Sequence, residues 1–493
     1  MIASRLPISP MTSLFSLMGP HPTGVVRLVL HKMFGASHQI TSTPNRSNVY
    51  LKRDDKLLRL SLCCLCLAFS SPAFAITTGS AFSGPVNDDG VSIYWNPAAL
   101  GQEENLAINF ELNTIFAEVS YLRAGTNPDT NQAYDEVSFA LPAPDFTFSI
   151  DGPTPLESLR WVLGGFSPYA IGGLWPDDGA QRFFSKKALI FTYDLSTGVI
   201  YRPIKKLSLS LLGGVTYGQL EQNNSIDFGA FANNLLPPGA DLFATENPLL
   251  EGVMHLEAQG WSPSASLGVW WEPMKWLRMG LGFLWIRDLR MHGLMNVETS
   301  EDLEDNLPGL NLRPEGTLDL TYPMPYHAHG EIELELGPWS LAPFYQFLNR
   351  HIQRMVVGYV SEVEPDFIEG QQLSVRGTQD DWMAGLRLGY KHNSTWRFAW
   401  RGVYDPSYIP DESVHPGNLD FNMLENVFSA QWQSLSATWI VSYAHLHFQG
   451  LNVTNSLFNL RAGLESGLSY PSANGNYNAS AHRFTIGFRW LFR

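Results

Sequence analysis

Cysteine is almost absent from this chain, and its three copies, Cys63, Cys64 and Cys66, stand together near the N-terminal end. No disulfide framework or cysteine-based site can therefore form in the rest of the chain. No run of 18 or more apolar residues follows Ala75, which excludes membrane-spanning helices there. The sequence also lacks the G-x-S-x-G, H-E-x-x-H and phosphate-loop motifs. We therefore expect no enzyme, no cofactor and no bound metal.

A secretory signal is predicted at residues 51–75. Basic residues from Lys52 to Arg59 precede an apolar core, Leu60 to Phe69, and the small-x-small site Ala73-Phe74-Ala75 follows. The alternative, a short buried helix, does not explain that order. Residues 1–50 resemble neither a folded domain nor a leader, so we expect a misplaced start, with translation beginning near Val49 or Leu51.

The mature chain is strongly acidic. Residues 1–75 contain eight Lys and Arg against two Asp and Glu, so the rest carries −21 where the whole chain carries −15. Such a charge repels nucleic acid, and we expect no nucleic-acid partner.

Alternation with a period of two dominates the mature chain. Between Leu207 and Gly218, apolar residues alternate with Ser, Thr and Gly. Similar hairpins are predicted around the turns Glu272–Lys275, Gly337–Ser340 and His392–Thr395. Residues 484–493 form a last alternating strand, which ends in Arg493 after the aromatic Phe492.

Short turns also alternate with long connections, which are predicted at 219–261, 297–318, 357–380 and 405–424. Outer-membrane barrels show this asymmetry. A β-sandwich or propeller would need a second layer over the apolar faces or a fixed blade repeat, and neither is visible. We predict an all-β fold in which residues 106–493 form a transmembrane antiparallel barrel. Each strand with its turn and loop takes roughly 25–30 residues, which gives about 14 strands, and 12 or 16 strands remain as alternatives.

The segment after the signal, Ala81 to Leu100, reads AFSGPVNDDGVSIYWNPAAL. It resembles the N-terminal hatch of the outer-membrane long-chain fatty acid and hydrocarbon transporters (the FadL/TodX family), in which Asn-Pro-Ala follows an acidic pair and an aromatic residue. Further segments resemble the same family in order: Phe166–Tyr169, Gly198–Pro203, Gln379–Trp382, Tyr404–Glu412 and Ser442–His445. The final Arg493 and the unusual leader depart from it.

This resemblance implies a hatch, or plug, at 76–105 inside a 14-stranded barrel. It implies passive uptake of hydrophobic compounds, such as long-chain fatty acids or aromatic hydrocarbons, through an extracellular apolar groove, an inner pocket and a lateral exit at an inward kink of one strand. The expected location is the bacterial outer membrane. The expected partners are a hydrophobic small molecule, membrane lipid and lipopolysaccharide, and the barrel-assembly machinery, and the protein is expected to be a monomer.

Three groups of residues are candidates for the site. Asn96, Pro97 and Ala98 would shape the hatch, or form an ordinary Asn-Pro turn. Apolar residues between 219 and 261 would form a capture groove, or simply pack under their loop: Phe228, Phe231, Leu235, Leu236, Phe243, Leu249, Leu250 and Met254. A basic row, Arg387, Lys391, Arg397 and Arg401, would pair with an acidic lumen row or bind a ligand carboxylate, and internal pairing is preferred.

The acidic row shares its strand face with two histidines, as His327, His329, Glu331 and Glu333. Two-residue spacing separates them by about 6–7 Å, and a polar lumen explains them without a metal.

Other functions remain as alternatives. A structural or adhesion barrel would use its long loops to bind partners, and a general porin would have an open lumen and no hatch. Ser/His chemistry on a barrel wall is a more distant possibility.

Overall fold

The computed structural model describes residues 79–234, 243–299, 303, 315–361, 370–457 and 472–492. All of them belong to one compact unit, Cys66–Arg493. The predicted leader and signal at 1–75 lie outside the described residues. In the described part, no helix is both long enough and apolar enough to cross a membrane.

The described residues form twenty β-segments in one sheet. They are β1 Leu106–Arg123, β2 Val137–Pro153, β3 Leu159–Phe166, β4 Ala170–Leu174, β5 Lys187–Ile204, β6 Leu207–Asp227, β7 Glu251–Met274, β8 Leu277–Ile286, β9 Leu289–Thr299, β10 Glu315–Tyr322, β11 His327–Leu336, β12 Trp339–Leu348, β13 Met355–Ser361, β14 Gly370–Val375, β15 Asp381–Lys391, β16 Trp396–Asp405, β17 Met423–Gln433, β18 Ala437–Phe448, β19 Leu451–Val453 and β20 Gly475–Phe492.

Six barrel strands consist of two segments each, namely β3–β4, β8–β9, β10–β11, β12–β13, β14–β15 and β18–β19. The chain therefore forms 14 antiparallel strands, and β1 closes the barrel by pairing with β20 from Leu106↔Phe492 to Arg123↔Gly475. The predicted closed barrel is confirmed.

Two short α-helices, α1 (Ser92–Trp95) and α2 (Phe228–Asn234), lie outside the sheet. Four 3₁₀ segments, Pro97–Gln102, Pro248–Leu250, Arg350–Gln353 and Asp411–Ser413, also lie outside the sheet.

The two faces of the wall follow the predicted alternation. In β6, Ser208, Ser210 and Thr216 are buried inside the barrel, whereas Leu209 and Leu211 are exposed on the outer surface. A belt of exposed tryptophans surrounds the end with short turns: Trp271, Trp276, Trp339, Trp396, Trp432, Trp439 and Trp490. Aromatic girdles mark the membrane interface, and short turns lie on the periplasmic side.

Several predicted boundaries are wrong. The connection predicted at 219–261 is mostly sheet, because β6 and β7 stay paired from Leu207↔Trp271 to Asp227↔Glu251. Strand β9 likewise runs to Thr299, β10 begins at Glu315 and β13 ends at Ser361, which shortens two more loops. The turns after β7 and β11 contain only Lys275–Trp276 and Gly337–Pro338, and β20 begins at Gly475 rather than Phe484.

Candidate functional site: the hatch, the central cavity and a gap in the wall

Residues 79–105 lie against the inner face of the wall. Nearly every residue from Gly79 to Gly101 is buried. The segment has no strand and only α1 and the 3₁₀ segment Pro97–Gln102, so most of its polar backbone groups need partners elsewhere. Inward side chains of the barrel provide many of them: Trp270 donates to the carbonyl of Val86 (3.0 Å), and Glu331 accepts from the Val86 N–H (3.0 Å).

The acidic pair of the hatch motif is split between two roles. Asp89 accepts hydrogen bonds from the hydroxyls of Ser83 (2.7 Å) and Ser92 (3.1 Å), which folds the hatch on itself. Burial raises the pKa of the Asp89 carboxyl, although these hydrogen bonds oppose the rise. Asp88 instead forms an ion pair with Arg489 of β20.

Asn96 fixes the turn between α1 and the 3₁₀ segment. Its side-chain amide donates to the carbonyl oxygens of Pro85 (2.7 Å) and Val269 (2.9 Å), and its Oδ1 accepts from the N–H of Ala98 (3.2 Å). Pro97 opens the 3₁₀ segment, where a missing N–H costs nothing. The Asn-Pro-Ala turn is thus bound to both the hatch and the wall.

The wall approaches this turn through glycines. A Cβ at Gly282 of β8 would lie 1.9 Å from the carbonyl oxygen of Trp95, and one at Gly268 of β7 would lie 2.2 Å from Oδ1 of Asn96. A side chain at Gly282 would therefore overlap hatch backbone, and one at Gly268 the Asn96 side chain. Because these two glycines have no side chains, they leave room for the hatch against the wall; we call this contact the glycine seat.

The basic row divides into two pairs. Arg387 is buried and bonds to Glu331 (2.9 Å), Glu333 (3.4 Å) and Oδ1 of Asn87 in the hatch (3.2 Å). Arg401 is buried too, and donates to the carbonyl oxygens of Ser83 (3.0 Å) and Gly79 (3.2 Å).

The other pair, Lys391 and Arg397, is exposed. Both residues line an opening of about 580 Å³ at the short-turn end of the barrel. Arg387 and Arg401 therefore lie among buried acidic groups and hatch carbonyl oxygens, whereas Lys391 and Arg397 lie at the opening.

The histidines of the acidic row contact the hatch. His327 is 3.0 Å from the Tyr94 hydroxyl, and His329 donates to the carbonyl oxygen of Trp95 (2.9 Å). Among the residues that the structure describes, no group of three or more His, Cys, Asp or Glu residues is placed to hold a metal ion.

A cavity of about 60 Å³, called here the central cavity, lies within the barrel beside Tyr94 of the hatch. About half of its lining is apolar: Ile115, Pro168, Ala170, Leu348, Met383, Leu419, Phe421, Met423, Leu446 and Phe448. The remaining side chains are aromatic, polar or charged. Small-molecule sites typically combine apolar walls with a few convergent polar groups.

The wall is incomplete where the cavity reaches it. Ser167, Pro168 and Tyr169 separate β3 from β4, and Pro168 cannot donate to a ladder. Strand β2 pairs with β3 from Phe148↔Gly165 to Pro153↔Arg160, and no pairing joins β4 to β2 in the described part of the chain. We call this the β2/β4 gap; Pro168, Tyr169 and Ala170 at its edge also line the central cavity.

The predicted groove residues that the structure describes lie at the end of the barrel opposite the short turns. Phe228 and Leu250 are buried in a cluster with Val297 and Leu303, and Phe243 and Met254 pack against it. Leu249 is exposed, and Met254 belongs to strand β7 rather than to a loop. Phe231 contributes its backbone to α2. Leu235 and Leu236 lie outside the described residues.

This geometry has close counterparts among known proteins. The family model described as outer membrane protein transport protein (OMPP1/FadL/TodX) matches residues 67–412. The chain belongs to this family. It is therefore an outer-membrane transport protein and not an enzyme. A separate comparison with curated protein sequences found no match.

Solved structures of family members share the fold. A Pseudomonas aeruginosa FadL homologue is 15% identical, with 86% of this chain and 99% of that chain covered and a TM-score of 0.70. The P. putida toluene transporter TodX is 13% identical (84% and 96% covered, TM-score 0.59). The Ralstonia pickettii toluene transporter TbuX is 12% identical (86% and 100% covered, TM-score 0.57).

Sequence reasoning missed most of the central cavity. Arg350, Asp405 and Tyr408 line it but come from different connections and strand ends. Tyr169 and Asp405 belong to segments that resemble the FadL/TodX family, and this resemblance was the only indication in the sequence that they could belong to a site. Nothing in the sequence indicates that they meet.

Proposed function

We propose that this barrel takes up hydrophobic compounds, such as long-chain fatty acids or aromatic hydrocarbons, passively across the outer membrane. The ligand enters at the extracellular apolar cluster, passes through the central cavity and leaves sideways into the membrane through the β2/β4 gap. The observation that carries the proposal is the position of Pro168, Tyr169 and Ala170, which line the cavity and form the edge of the gap.

A lateral route suits the solute. Each Å² of apolar surface kept out of water is worth about 25 cal/mol, so a path through apolar sites into lipid is favoured over a water-filled pore. The hatch, held at Asn96, Pro97 and Ala98, blocks the direct path to the periplasm. Two structurally similar proteins are named toluene transporters, which supports aromatic hydrocarbons as one ligand class.

The surroundings of the barrel belong to the same proposal. Membrane lipid and lipopolysaccharide contact the outer face, the barrel-assembly machinery inserts the chain, and a single copy performs transport.

Uptake assays test the proposal directly. Cells that produce the chain should take up toluene or a long-chain fatty acid faster than cells without it. A variant lacking 81–100 should leak small polar solutes, because the lumen is then open. A folded barrel that transports no member of a hydrocarbon and fatty acid panel would favour the adhesion function instead.

The capture groove has its own test. Phe228, Phe231 and Phe243 replaced together by Ser should abolish uptake at low ligand concentration if ligands bind there first. Ser at the exposed Tyr359 and Phe428 provides a control for apolar loss elsewhere. Unchanged uptake in the inserted triple variant would restrict these residues to packing.

A further inference from the structure

The central cavity contains more negative than positive groups. Four carboxylates line it, Asp381, Asp405, Asp420 and Glu425, against two guanidinium groups, Arg350 and Arg483. A buried charge is costly unless it is paired, so the pairing of each group decides what a ligand meets.

Both arginines already have partners. Nε of Arg350 donates to Asp381 (2.6 Å), and its guanidinium lies over the rings of Tyr408 (4.2 Å) and Tyr169 (4.9 Å). Arg483 pairs with Glu425 (2.6 Å) and donates to the carbonyl oxygen of Gly79 (2.9 Å). Their positive charge is therefore balanced within the wall and hatch.

Two carboxylates remain unbalanced. Asp405, at the inward-facing end of β16, is only 8% exposed, and its carboxylate makes no hydrogen bond or ion pair with any described residue. Asp420 accepts the N–H of Tyr408 (2.7 Å) and lies beside the Ser407 hydroxyl, but it forms no ion pair with a described residue. Burial and the nearby Asp381 raise the pKa of Asp420 to about 7.

One donor is also unused. The Nη1 amino group of Arg350 is buried and makes no hydrogen bond to a described residue. Among the described residues, the lining thus includes a donor without a partner at Arg350 and acceptors without one at Asp405, Asp381 Oδ1 and Gln346 Oε1. A hydroxyl group both donates and accepts hydrogen bonds, so it matches a lining that offers both kinds of partner.

We propose that the central cavity binds the polar end of a hydrophobic alcohol or phenol and excludes a carboxylate. A ligand carboxylate would lose its hydration in this buried space, where both guanidinium groups are already paired. The volume of about 60 Å³ suits one functional group and not a whole chain. This inference rests on the proposed function and narrows it from acids to neutral ligands with a hydroxyl group.

Three probes that share a phenyl ring and one further carbon test the proposal: toluene, benzyl alcohol and benzoate. Equilibrium dialysis against the full barrel in lipid nanodiscs, with empty nanodiscs subtracted, gives the Kd of each. We expect benzyl alcohol to bind about tenfold more tightly than benzoate, and also more tightly than toluene. Equal binding of benzyl alcohol and benzoate, or tighter binding of benzoate, would overturn the proposal.

Two variants locate the effect. Asp405→Asn should reduce the preference for benzyl alcohol over benzoate about tenfold, and Asp405→Leu should weaken benzyl alcohol while leaving toluene unchanged. Asp411→Asn, an exposed carboxylate of the same connection, should change nothing. Heat-dependent gel migration verifies folding, and Asp420→Asn replaces Asp405→Asn if the latter does not fold. A preference that survives these substitutions at Asp405, or at Asp420 in its place, would place the selection elsewhere.

Toluene uptake separates this inference from the function on which it depends. Toluene transport without discrimination against benzoate would remove only the inference. Selective binding without transport of any probe would remove the proposed function.

Discussion

Two parts of the wall differ in how they are held. At β8, β11 and β15, the wall touches the hatch through the close approach at Gly282, through hydrogen bonds of Glu331 and His329 with hatch backbone, and through Arg387, which bonds to Asn87. Between β2 and β4 no ladder forms in the described residues, although β2 pairs with β1 and β4 pairs with β5, and the rings of Phe139 and Trp175 pack nearby with centroids 4.7 Å apart. The first region joins the hatch to the barrel through many directional contacts. In the second region, β2 and β4 are held together by apolar packing without a ladder, so they separate more easily.

The difference separates two jobs that a plugged barrel must do. In the proposed function, directional polar contacts hold the hatch in the lumen and so keep out water and polar solutes. Because no backbone hydrogen bonds join β2 to β4 among the described residues, these strands can move apart for an apolar ligand without breaking any. A hatch that stays fixed and a gap that opens would together give a transport path with no open pore.

The largest effect is expected from Arg387→Met. It leaves Glu331 and Glu333 buried without this partner and removes a hatch contact, which should lower the free energy of unfolding by about 3–5 kcal/mol. Denaturant unfolding in lipid vesicles, followed by tryptophan fluorescence, measures the change.

Arg397→Met, in the exposed half of the same basic row, is the control and should change stability by less than about 0.5 kcal/mol. Adding Glu331→Gln and Glu333→Gln to Arg387→Met should restore part of the loss. Equal stability of the Arg387 and Arg397 variants would show that the buried pairing contributes little.

A smaller effect is expected from Gly282→Ala. The new Cβ meets the Trp95 carbonyl at 1.9 Å, so the Asn-Pro-Ala turn must shift, at a cost of about 1–3 kcal/mol. Single-channel conductance should rise as the hatch loosens. Gly213→Ala, whose Cβ has no neighbour within 4 Å, should leave conductance unchanged. Conductance that stays at the parent level in the Gly282 variant would mean that the seat tolerates a methyl group.

The substitution Ala143→Trp is expected to change stability least of the three, but it should clearly reduce transport. Ala143 is buried in the part of β2 that has no β4 partner, so an indole there would fill the β2/β4 gap. Toluene uptake should fall about tenfold, equivalent to about 1.4 kcal/mol on the barrier. Ala140→Trp, at an exposed position on the same strand, is the control, and normal uptake by the Ala143 variant would exclude this exit.

Alternation predicted the strands well wherever one face meets lipid and the other a polar lumen. It failed where strands rise beyond the membrane. Gln219 to Asp227 continue β6, but there both faces meet polar surroundings, so the period of two disappears while backbone pairing continues. This is why the connection at 219–261 was predicted too long.

The interruptions inside strands were harder to foresee. Prolines mark two of them, at Pro168 and at Pro323–Pro325, but Arg287–Asp288 carries no such signal. The hatch motif was recognisable, yet its seat at Gly268 and Gly282 depends on contacts across more than 170 residues of sequence. Asp405 was equally hard to predict from the sequence. It lacks an ion-pair partner among the described residues because Arg350 pairs with Asp381 and Arg483 pairs with Glu425.

The seam between the first and last strands imposes an order on assembly. Eighteen residue pairs join β1 to β20, and the hatch that precedes β1 lies inside the wall that this seam closes. The barrel therefore cannot close until the C-terminal strand has been synthesised, and the closed seam encloses the hatch. Contacts between such distant parts of a chain form slowly. A chain truncated before β20 would lose the enclosure of its hatch as well as a strand.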